Sequence, residues 1–414
     1  MRILVDYRPA LVQRTGVGEY MHNLVRAFTR QPEASGDEVM VFTSSWKDRP
    51  GAGLSGELGA SVIDRRVPVR ILNWLWHRCE WPPVETLGAR ADIVHAAHPL
   101  LIPSRTAARV VTVHDLFFLT HREFTRAEIR RDYAALAPLH ARRAHAVVVN
   151  SKYTKSLVHA TFGVDEQRIH VCSPGRPEWA ELGHAPNVPA GGYILFIGTL
   201  EPRKNVGALL DAYSRLLDRR RDVPALVLAG RATPDARAWL ERLSTPPLAG
   251  RARHVGYVSD KEAIYRGARL VIVPSLDEGF GMPVLEAMAA GVPVIAADRG
   301  ALPEVLGDAG ILVNPGNADE FAAAVERMIT DDAFARRCAE SGLERARLFS
   351  WSCAAASLRV AYETALDIRR QQTSDKSKRR RRWITGRPTA TAPEVSPTAT
   401  SHEESRERDR HAAV

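Results

Sequence analysis

Cysteine is scarce in this chain of 414 residues, and the few cysteines stand far apart. The four are Cys79, Cys172, Cys338 and Cys353, and no two form the C-x-x-C pair typical of zinc and redox sites. Small secreted scaffolds depend on dense disulfides, whereas a chain of this length can bury a sizeable core without them. We therefore expect neither structural disulfides nor a zinc centre.

Long apolar runs are also missing. No stretch of about 18 apolar residues is present, so we expect no transmembrane helix. The first apolar stretch, in MRILVDYRPA, ends at Asp6 and is too short for the apolar core of a secretory signal, so we expect a cytoplasmic protein. A hydrophobic share of 45% and a charged share of 25% are ordinary for a globular protein, and the length predicts two or three domains.

Short apolar runs alternate with helical patterns, twice over. Such alternation predicts an α/β protein with parallel sheets, and the continuously apolar runs are typical of strands buried on both faces. We predict two Rossmann-like, doubly wound domains at residues 1–182 and 190–350, with a cleft between them, joined by the proline- and glycine-bearing stretch 173–192. The predicted strands lie at residues 3–5, 39–42, 92–95, 110–113, 146–149 and 169–172, and at residues 193–197, 225–228, 270–273, 294–296 and 311–313.

Apolar residues at four-residue steps predict amphipathic helices at 18–30 and 317–330. Ser350 is suited to cap a further helix, 351–370, with one apolar stripe. The stripe of the first helix is Tyr20, Leu24 and Phe28, and that of the last is Trp351, Ala355, Leu358, Tyr362 and Leu366.

Basic charge collects near the C-terminus. The net charge is +9, and residues 376–382 read KSKRRRR. Residues 371–414 have almost no apolar content, which predicts a disordered tail. A basic segment favours polyanions such as nucleic acid or an acidic membrane, although the tail can equally do no more than raise the net charge.

The most informative segment of the second half is EGFGMPVLE, residues 278–286, between a predicted strand and a predicted helix. Gly279 and Gly281 allow tight turns and close approach of the backbone to a ligand. The N-terminus of the following helix attracts anions such as phosphate. Glu286, one turn into the helix, can hold a vicinal diol, and Glu278 can meet a sugar hydroxyl or a developing positive charge. The alternative is a glycine loop with two solvated glutamates.

The segment GTLEPRKN begins at Gly198, directly after a predicted strand. Arg203 and Lys204 therefore stand at the carboxyl end of a strand, where ligands bind in open α/β sheets. Arginine offers a planar fork to phosphate and lysine a compact charge, so the pair can neutralise a diphosphate without a metal ion. A solvated loop pair is the alternative.

In the first half, RTGVGEY joins the first strand to the first helix, and its Gly16 and Gly18 can bring backbone N–H groups near an anion. A dinucleotide fingerprint fails here, because its third glycine position holds Met21 and the loop is too long for the required tight turn. An ordinary helix-capping turn is the alternative.

The segment VHDL also follows a strand. His114 can donate a hydrogen bond to a sugar hydroxyl, and Asp115 can orient it or accept a proton from an acceptor. A structural histidine is the alternative, and no role is assigned to the neighbouring His95 and His98. Nearby, Trp74, Trp76 and Trp81 can bind a lipid or sugar, but at this spacing they are predicted to pack a helix on the core.

Together these segments resemble glycosyltransferase family four, a family of retaining enzymes with the GT-B fold, over nearly the whole chain to about residue 370. EGFGMPVLE is similar to the family's Glu-x₇-Glu signature and GTLEPRKN to its phosphate-binding Arg-Lys element. RTGVGEY is similar to its N-terminal glycine loop and VHDL to its sugar-contacting histidine. NSKYTKSLV and GDAGILVNPGN also resemble family segments, without chemistry of their own.

The resemblance implies a role for each matched residue. Arg203 and Lys204 would hold the donor diphosphate, Glu286 the nucleotide ribose, and Glu278 the transferred sugar. The remaining implied contacts are the backbone amides of Phe280, Gly281 and Met282, Gly16 and Gly18 at the phosphates, and His114 by the distal hydroxyl of the sugar, with Asp115 and Gly198 as further candidates.

The resemblance further implies transfer of a hexose with retention of configuration. The combination DYRP…RTGVGEY is most similar to bacterial mannosyltransferases that use GDP-mannose in polysaccharide synthesis. The implied partners are therefore a nucleotide sugar and a glycan or lipid-linked acceptor in the cell envelope, with the first domain choosing the acceptor. No essential metal and no other cofactor is expected, because the motifs hold no carboxylate pair in a metal-binding context.

Two other functions stay open from the sequence. One is a hydrolysing nucleotide-sugar epimerase of the same fold. The other is a non-enzymatic protein that binds polyanions through the tail. We expect no specific binding of nucleic acid, and the tail can instead hold the enzyme on the inner face of an anionic membrane.

Overall fold

The computed structural model describes residues 1–11, 16–120, 127–179 and 192–384, and this part of the chain contains two open parallel sheets. The first sheet holds β1 (Arg2–Asp6), β2 (Glu38–Ser44), β3 (Ser61–Arg65), β4 (Ile93–Ala96), β5 (Ala108–Val113), β6 (Ala146–Val149) and β7 (Ile169–Val171). The second holds β8 (Tyr193–Ile197), β9 (Ala225–Ala229), β10 (Ala252–Gly256), β11 (Ala268–Val273), β12 (Val294–Ala297) and β13 (Ile311–Val313).

Helices connect most successive strands in both halves, whereas residues 97–107 join β4 to β5 without a helix. Those of the first half are α1 (Val17–Thr29), α2 (Leu54–Leu58), α3 (Val69–Cys79), α4 (Phe117–Thr120), α5 (Ala127–Arg143) and α6 (Lys152–Phe162). Those that follow are α7 (Val206–Arg219), α8 (Arg237–Arg242), α9 (Lys261–Arg266), α10 (Met282–Ala289), α11 (Leu302–Leu306), α12 (Ala318–Thr330), α13 (Asp332–Ala346) and α14 (Trp351–Ile384). The chain divides into two compact units, Met1–Arg370 and Gln371–Val414.

Both sheets are doubly wound. The strand order is β3-β2-β1-β4-β5-β6-β7 in the first and β10-β9-β8-β11-β12-β13 in the second, and all neighbouring strands run parallel. In each sheet the chain first forms an interior strand, adds the next two strands towards one edge, and then places the remaining strands on the other side of the first strand. The strand order thus reverses between β1 and β4 and between β8 and β11, and ligands of such sheets bind outside the carboxyl ends at this point.

The predicted strands are all confirmed to within one or two residues, but the prediction missed β3 and β10. Both lie at an edge of their sheet, and their sequences, SVIDR and ARHVG, carry charged residues at positions that are not fully buried. An edge strand needs no continuous apolar run, because one side of it faces solvent. The apolar pattern that marks central strands is therefore absent from both.

The predicted helix stripes are confirmed. Tyr20, Leu24 and Phe28 of α1 are buried in the core on one face of the first sheet. Leu358 and Tyr362 of α14 enter the same core, so the last helix packs back on the first half. The predicted cap also forms, since the Ser350 hydroxyl accepts a hydrogen bond of 3.1 Å from the backbone N–H of Cys353.

Two predictions need correction. Trp76 is buried in the core, but Trp74 and Trp81 are 58% and 57% exposed, so only one of the three tryptophans packs a helix on the core. Residues 371–384 are helical rather than disordered: they form the last turns of α14, which ends at Ile384. Arginine, lysine and glutamine are good helix formers, so the composition that prevents a core still permits this helix. Residues 385–414 and the predicted linker residues 180–191 lie outside the described part.

All four cysteines are free, as expected. Among the described residues, no helix combines the length and the apolar character needed to cross a bilayer.

Two buried histidines should make the stability of the fold depend on pH. His95 bonds to Tyr362 of α14 (2.9 Å) and to Thr112 (2.7 Å), and His140 accepts a hydrogen bond from the backbone N–H of Leu101 (2.9 Å). Burial lowers the pKa of His95 to about 3 and that of His140 to about 4. Both rings are therefore neutral in the folded protein at pH values where the unfolded chain protonates them.

We expect the free energy of unfolding to fall as the pH drops from about 6.5 towards 5. Because the unfolded state binds more protons in this window, each histidine contributes a slope that approaches about 1.4 kcal/mol per pH unit. Urea unfolding at pH 7.5, 6 and 5 measures the slope. His140→Gln should flatten the dependence, and equal stability at pH 7.5 and 5 would contradict the assignment.

Candidate functional site

The predicted Arg-Lys element lies beside the point where the strand order of the second sheet reverses. Arg203 and Lys204 occupy a short 3-10 turn after β8. Asn205 follows in the left-handed conformation (φ 54°), and its side-chain amide donates hydrogen bonds to the carbonyls of Pro274 (3.1 Å) and Pro315 (2.9 Å). Asn205 thus ties the turn with both cations to the loop that follows β11.

The two cations converge on Glu278, which is buried. Lys204 donates to one oxygen of this carboxylate, and the Ser275 hydroxyl donates to the same oxygen over 2.8 Å. Arg203 donates to the other oxygen over 3.3 Å. Burial by itself would raise the pKa of Glu278, but the charges of Lys204 and Arg203 outweigh it and lower the pKa to about 2. Glu278 is therefore ionised at any physiological pH.

Further carboxylates surround Arg203. Its guanidinium lies 3.2 Å from Glu201 and 3.7 Å from Asp115, which belongs to the first half of the chain. Burial would lower the pKa of Arg203, but Glu278, Asp115 and Glu201 hold it above its usual value. Two cations thus serve three carboxylates, and an entering phosphate must compete with these carboxylates for Arg203 and Lys204.

The glycine loop before α10 has the predicted geometry. Gly281 precedes the helix with φ 98°, in the left-handed region that favours glycine. Met282 begins α10, so the first N–H groups of the helix face out of its N-terminus. The Phe280 side chain is buried against Phe349, which leaves only its backbone for a ligand. The loop can therefore offer backbone donors to an anion.

Glu286, the other glutamate of the signature, is buried one turn into α10. The Tyr265 hydroxyl donates to one of its oxygens over 2.6 Å, and the Lys261 ammonium to the other over 2.8 Å. Lys261 also bonds to Glu19 of α1, in the first half. These contacts were not predicted. Lys261 and Tyr265 stand in no motif, and no role was predicted for Glu19 within RTGVGEY.

The backbone of His114 lies directly against Gly279, in the glycine loop before α10. A Cβ atom at Gly279 would collide with the His114 carbonyl oxygen, so only glycine fits this approach. The His114 ring lies edge-on to Tyr20, and its Nε2 is 3.1 Å from the Ala97 carbonyl oxygen. Burial lowers the pKa of His114, so the ring is neutral.

The hydrogen bond to Ala97 changes what the His114 side chain can do. A neutral imidazole carries one N–H, and here Nε2 donates it to the carbonyl. Nδ1 is then an acceptor, so the ring can receive a hydrogen bond from a sugar hydroxyl rather than donate one as predicted. Asp115, the other candidate in this segment, contacts Arg203 and accepts a hydrogen bond from the Phe117 backbone N–H.

The predicted glycines differ in what requires them. Gly16 has φ 51°, and no atom of the described residues lies within 4 Å of a Cβ placed there, which suits a close approach by a ligand. Gly18 is buried, and a Cβ atom there would lie 2.6 Å from the Pro9 carbonyl oxygen, so packing explains this glycine. Gly198 has φ 154°, and its carbonyl leaves no room for a Cβ atom at Gly230. Residues 12–15, which directly precede Gly16, lie outside the described residues.

The segment NSKYTKSLV, which was predicted to have no chemistry of its own, helps to join the halves. The hydroxyls of Ser151 and Thr154 donate to the Gly279 carbonyl over 2.6 and 3.1 Å. Glu304 of α11 accepts hydrogen bonds of 2.9 and 3.0 Å from two backbone N–H groups at the N-terminus of α6. These contacts hold the first half against the glycine loop of the second.

Within the described residues, no three His, Cys, Asp or Glu side chains gather as a metal site requires. The expectation that the enzyme needs no metal ion stays a prediction.

Comparison with known proteins connects this geometry to a family. Residues 14–177 match the family described as Glycosyltransferase Family 4, and residues 191–331 match the family described as Glycosyl transferases group 1. The O-antigen chain mannosyltransferase B of Escherichia coli is 29% identical over 376 residues, covering 85% of this chain and 96% of that protein. A D-inositol 3-phosphate glycosyltransferase of Corynebacterium efficiens is 30% identical over 421 aligned positions, covering 88% and 96%.

Solved structures share the fold. Sucrose-phosphate synthase from Thermosynechococcus elongatus has a TM-score of 0.67 at 19% identity, covering 91% of this chain and 100% of that chain. This likeness confirms the predicted GT-B architecture of two Rossmann-like halves. With both halves matched and a relative 30% identical over nearly its whole length, the chain belongs to glycosyltransferase family 4 and is a glycosyltransferase.

Proposed function

We propose that this glycosyltransferase transfers mannose from GDP-mannose, with retention of configuration, to a glycan or lipid-linked acceptor in polysaccharide synthesis. The observation that carries a nucleotide-sugar donor is the convergence of Arg203 and Lys204 on buried Glu278 at the carboxyl edge of the second sheet. Mannose as the sugar is supported by the E. coli relative, an O-antigen chain mannosyltransferase matched over 96% of its length.

In the proposed complex, the donor diphosphate takes Arg203 and Lys204 as its counter-ions. The N-terminus of α10 adds backbone N–H groups and the positive end of its dipole. Because these groups are already positioned, they stabilise the charge that develops on the departing diphosphate without reorganising. Glu278 keeps its own charge beside the transferred sugar, where positive charge develops.

The contacts of Glu278 also favour front-side attack. Both of its oxygens accept hydrogen bonds, from Lys204, Ser275 and Arg203, so neither is a free nucleophile. In the proposed step, the acceptor hydroxyl forms the new bond to the anomeric carbon as the bond to the diphosphate oxygen breaks. The hydroxyl proton passes to the departing diphosphate, and the configuration is retained because both groups occupy the same face.

The acceptor is assigned to the first half, in line with the resemblance. In this proposal His114 and Asp115 reach the cleft from that half, and Nδ1 of His114 accepts a hydrogen bond from a hydroxyl of the transferred sugar. We further propose that the protein acts at the cytoplasmic face of a membrane, with the basic run 376–382 drawn to anionic lipid headgroups. A lipid-linked acceptor would then meet the enzyme at the surface that carries it.

Thermal unfolding with GDP, UDP, ADP and NAD tests the donor site. A ligand at about 100 times its Kd stabilises the folded state by about 2.7 kcal/mol, which raises Tm by a few degrees. We expect a shift with GDP that is lost in Glu286→Ala. Glu326→Ala, which alters a half-buried glutamate of α12 paired with Arg220, is the matched control and should keep the shift.

A shift with UDP or ADP in place of GDP would overturn the donor base, and a shift with NAD alone would overturn the nucleotide-sugar site. Transfer of radiolabelled mannose to membrane-extracted acceptor completes the test. Consumption of GDP-mannose that is equally fast with and without acceptor would instead indicate a hydrolysing enzyme.

A further inference from the structure

An ion bridge crosses between the two halves at Glu286. Lys261, the first residue of α9, lies 2.8 Å from an oxygen of Glu286 and 2.6 Å from an oxygen of Glu19. Glu286 and Lys261 belong to the second half, whereas Glu19 lies on α1 in the first. One ammonium thus joins carboxylates of both halves, directly at the residue proposed to hold the ribose.

The bridge is sheltered from solvent. The side chains of Lys261, Glu19 and Glu286 are 27%, 25% and 4% exposed. Burial would lower the pKa of Lys261, but the two carboxylates hold it above its usual value, so the ammonium stays charged. Burial raises the pKa of Glu19, and the neighbouring charge of Glu286 adds to this effect while Lys261 opposes it. Both carboxylates therefore depend on the same cation.

We propose that Lys261 and Glu19 form a latch that orients Glu286 for the nucleotide ribose and couples donor binding to closure of the two halves. The proposal rests on the nucleotide-sugar function argued above and assigns positioning roles to Lys261 and Glu19. Neither residue is part of the Glu-x₇-Glu signature or of the Arg-Lys element.

The geometry explains how the latch would act. Tyr265 and Lys261 each occupy one oxygen of Glu286, which fixes the plane of its carboxylate. Each carboxylate oxygen has a second acceptor site, and these remaining sites suit the two hydroxyls of a ribose. Since Lys261 binds Glu19 at the same time, closure of the first half against the second adds a contact that holds Lys261 in place at Glu286.

Removing the Lys261 ammonium would replace an attraction between the two halves by a repulsion. Without Lys261, the carboxylates of Glu19 and Glu286 face each other across the cleft with no shared counter-ion, and like charges at such a site repel. The repulsion opposes closure and disorders the ribose contact. Neutralising Glu19 in addition removes the repulsion, so a second substitution should restore part of what the first removes.

Isothermal titration with GDP, UDP and ADP, together with donor kinetics, tests the latch in the full-length protein. For the nucleotide that the wild type binds, we expect Lys261→Met to raise Kd about ten- to hundredfold, the usual range of coupling between two sites. Glu19→Gln should raise Kd by a smaller factor. The double variant Lys261→Met/Glu19→Gln should bind more tightly than Lys261→Met alone, and Lys261→Arg should recover most of the affinity.

The control is Lys155→Met. Lys155 lies on α6 with a similar exposure of 30% and pairs with Glu166 at 3.9 Å, far from Glu286 in the sequence and outside the site. It should leave Kd unchanged. A structural defect in Lys261→Met would be made worse, not better, by a second substitution, so the recovery in the double variant distinguishes the latch from simple damage to the fold.

The outcomes separate the latch from the function on which it rests. If the wild type binds none of the three nucleotides, the proposed function fails. If the wild type binds one of them and Lys261→Met binds it equally well, the latch alone is wrong. Losses that simply add in the double variant would also overturn the latch, because they would show that Glu19 and Lys261 act separately.

Discussion

Lys204→Ala should lower kcat by about 10²–10³-fold, the usual cost of removing one preorganised group that stabilises developing charge. Lys204 contacts Glu278, lies at the carboxyl end of β8, and is proposed to meet the departing diphosphate. Its loss leaves Arg203 as the nearest cation. Steady-state turnover of GDP-mannose with acceptor present measures the effect, and Lys204→Arg should retain more activity than Lys204→Ala because it keeps the charge.

Loss of fold must be separated from loss of catalysis in this experiment. Glu278 is buried, so removing one of its two cations can also lower stability. Thermal unfolding of Lys204→Ala, and of Lys155→Ala as a lysine-to-alanine control outside the site, provides this check. If the folded variant turns over at the wild-type rate, Lys204 is not the leaving-group cation.

Gly279→Ala should lower kcat/KM about 100-fold, the order expected when reacting groups are misplaced by about 1 Å. A Cβ atom at position 279 would collide with the His114 carbonyl oxygen across the cleft. The loop has little freedom to move away, because Ser151 and Thr154 bind the Gly279 carbonyl. The collision therefore keeps the halves apart.

Because the clash lies between the halves, each half should still fold. We expect a small change in Tm, together with weaker binding of nucleotide, because donor binding is proposed to be coupled to closure, and a loss of transfer. Gly56→Ala is the matched control, since a Cβ atom at this position in α2 meets nothing within 4 Å. Wild-type kinetics in Gly279→Ala would show that the contact between Gly279 and His114 does not form during catalysis.

The central strands and the long amphipathic helices were predictable because their signals are local. A strand buried on both faces needs a continuous apolar run, and the run itself reveals the strand wherever it lies in the sheet. The edge strands β3 and β10 lack that run, since only part of each strand is buried. The prediction for Trp74 and Trp81 failed for a related reason. Spacing along α3 does not reveal which of its faces meets the core, and Trp81 lies beyond the end of that helix.

The residues of the candidate site also divide into those that the local sequence reveals and those that only the fold brings together. Arg203, Lys204, Glu278 and Glu286 lie in compact segments that directly follow strands, so residue type and position suffice to select them. Glu19 belongs to RTGVGEY, but that segment predicts no role for its carboxylate. Lys261 stands in no motif and lies more than half the chain away, yet one hydrogen bond joins the two residues. Contacts of this kind are properties of the closed arrangement and leave no periodicity in the sequence.

The sequence by itself determined the alternation of strands and helices, the two sheets, and the loops that carry charge to their carboxyl ends, because burial and turn chemistry act on neighbouring residues. Only the tertiary structure decided which groups share a counter-ion. It brought Asp115 to Arg203 and Lys261 to Glu19, and it turned His114 from the predicted donor into an acceptor by giving its N–H to Ala97. The physical reason is that ion pairs and tautomers depend on distances across the cleft, and those distances exist only once both halves have folded and met.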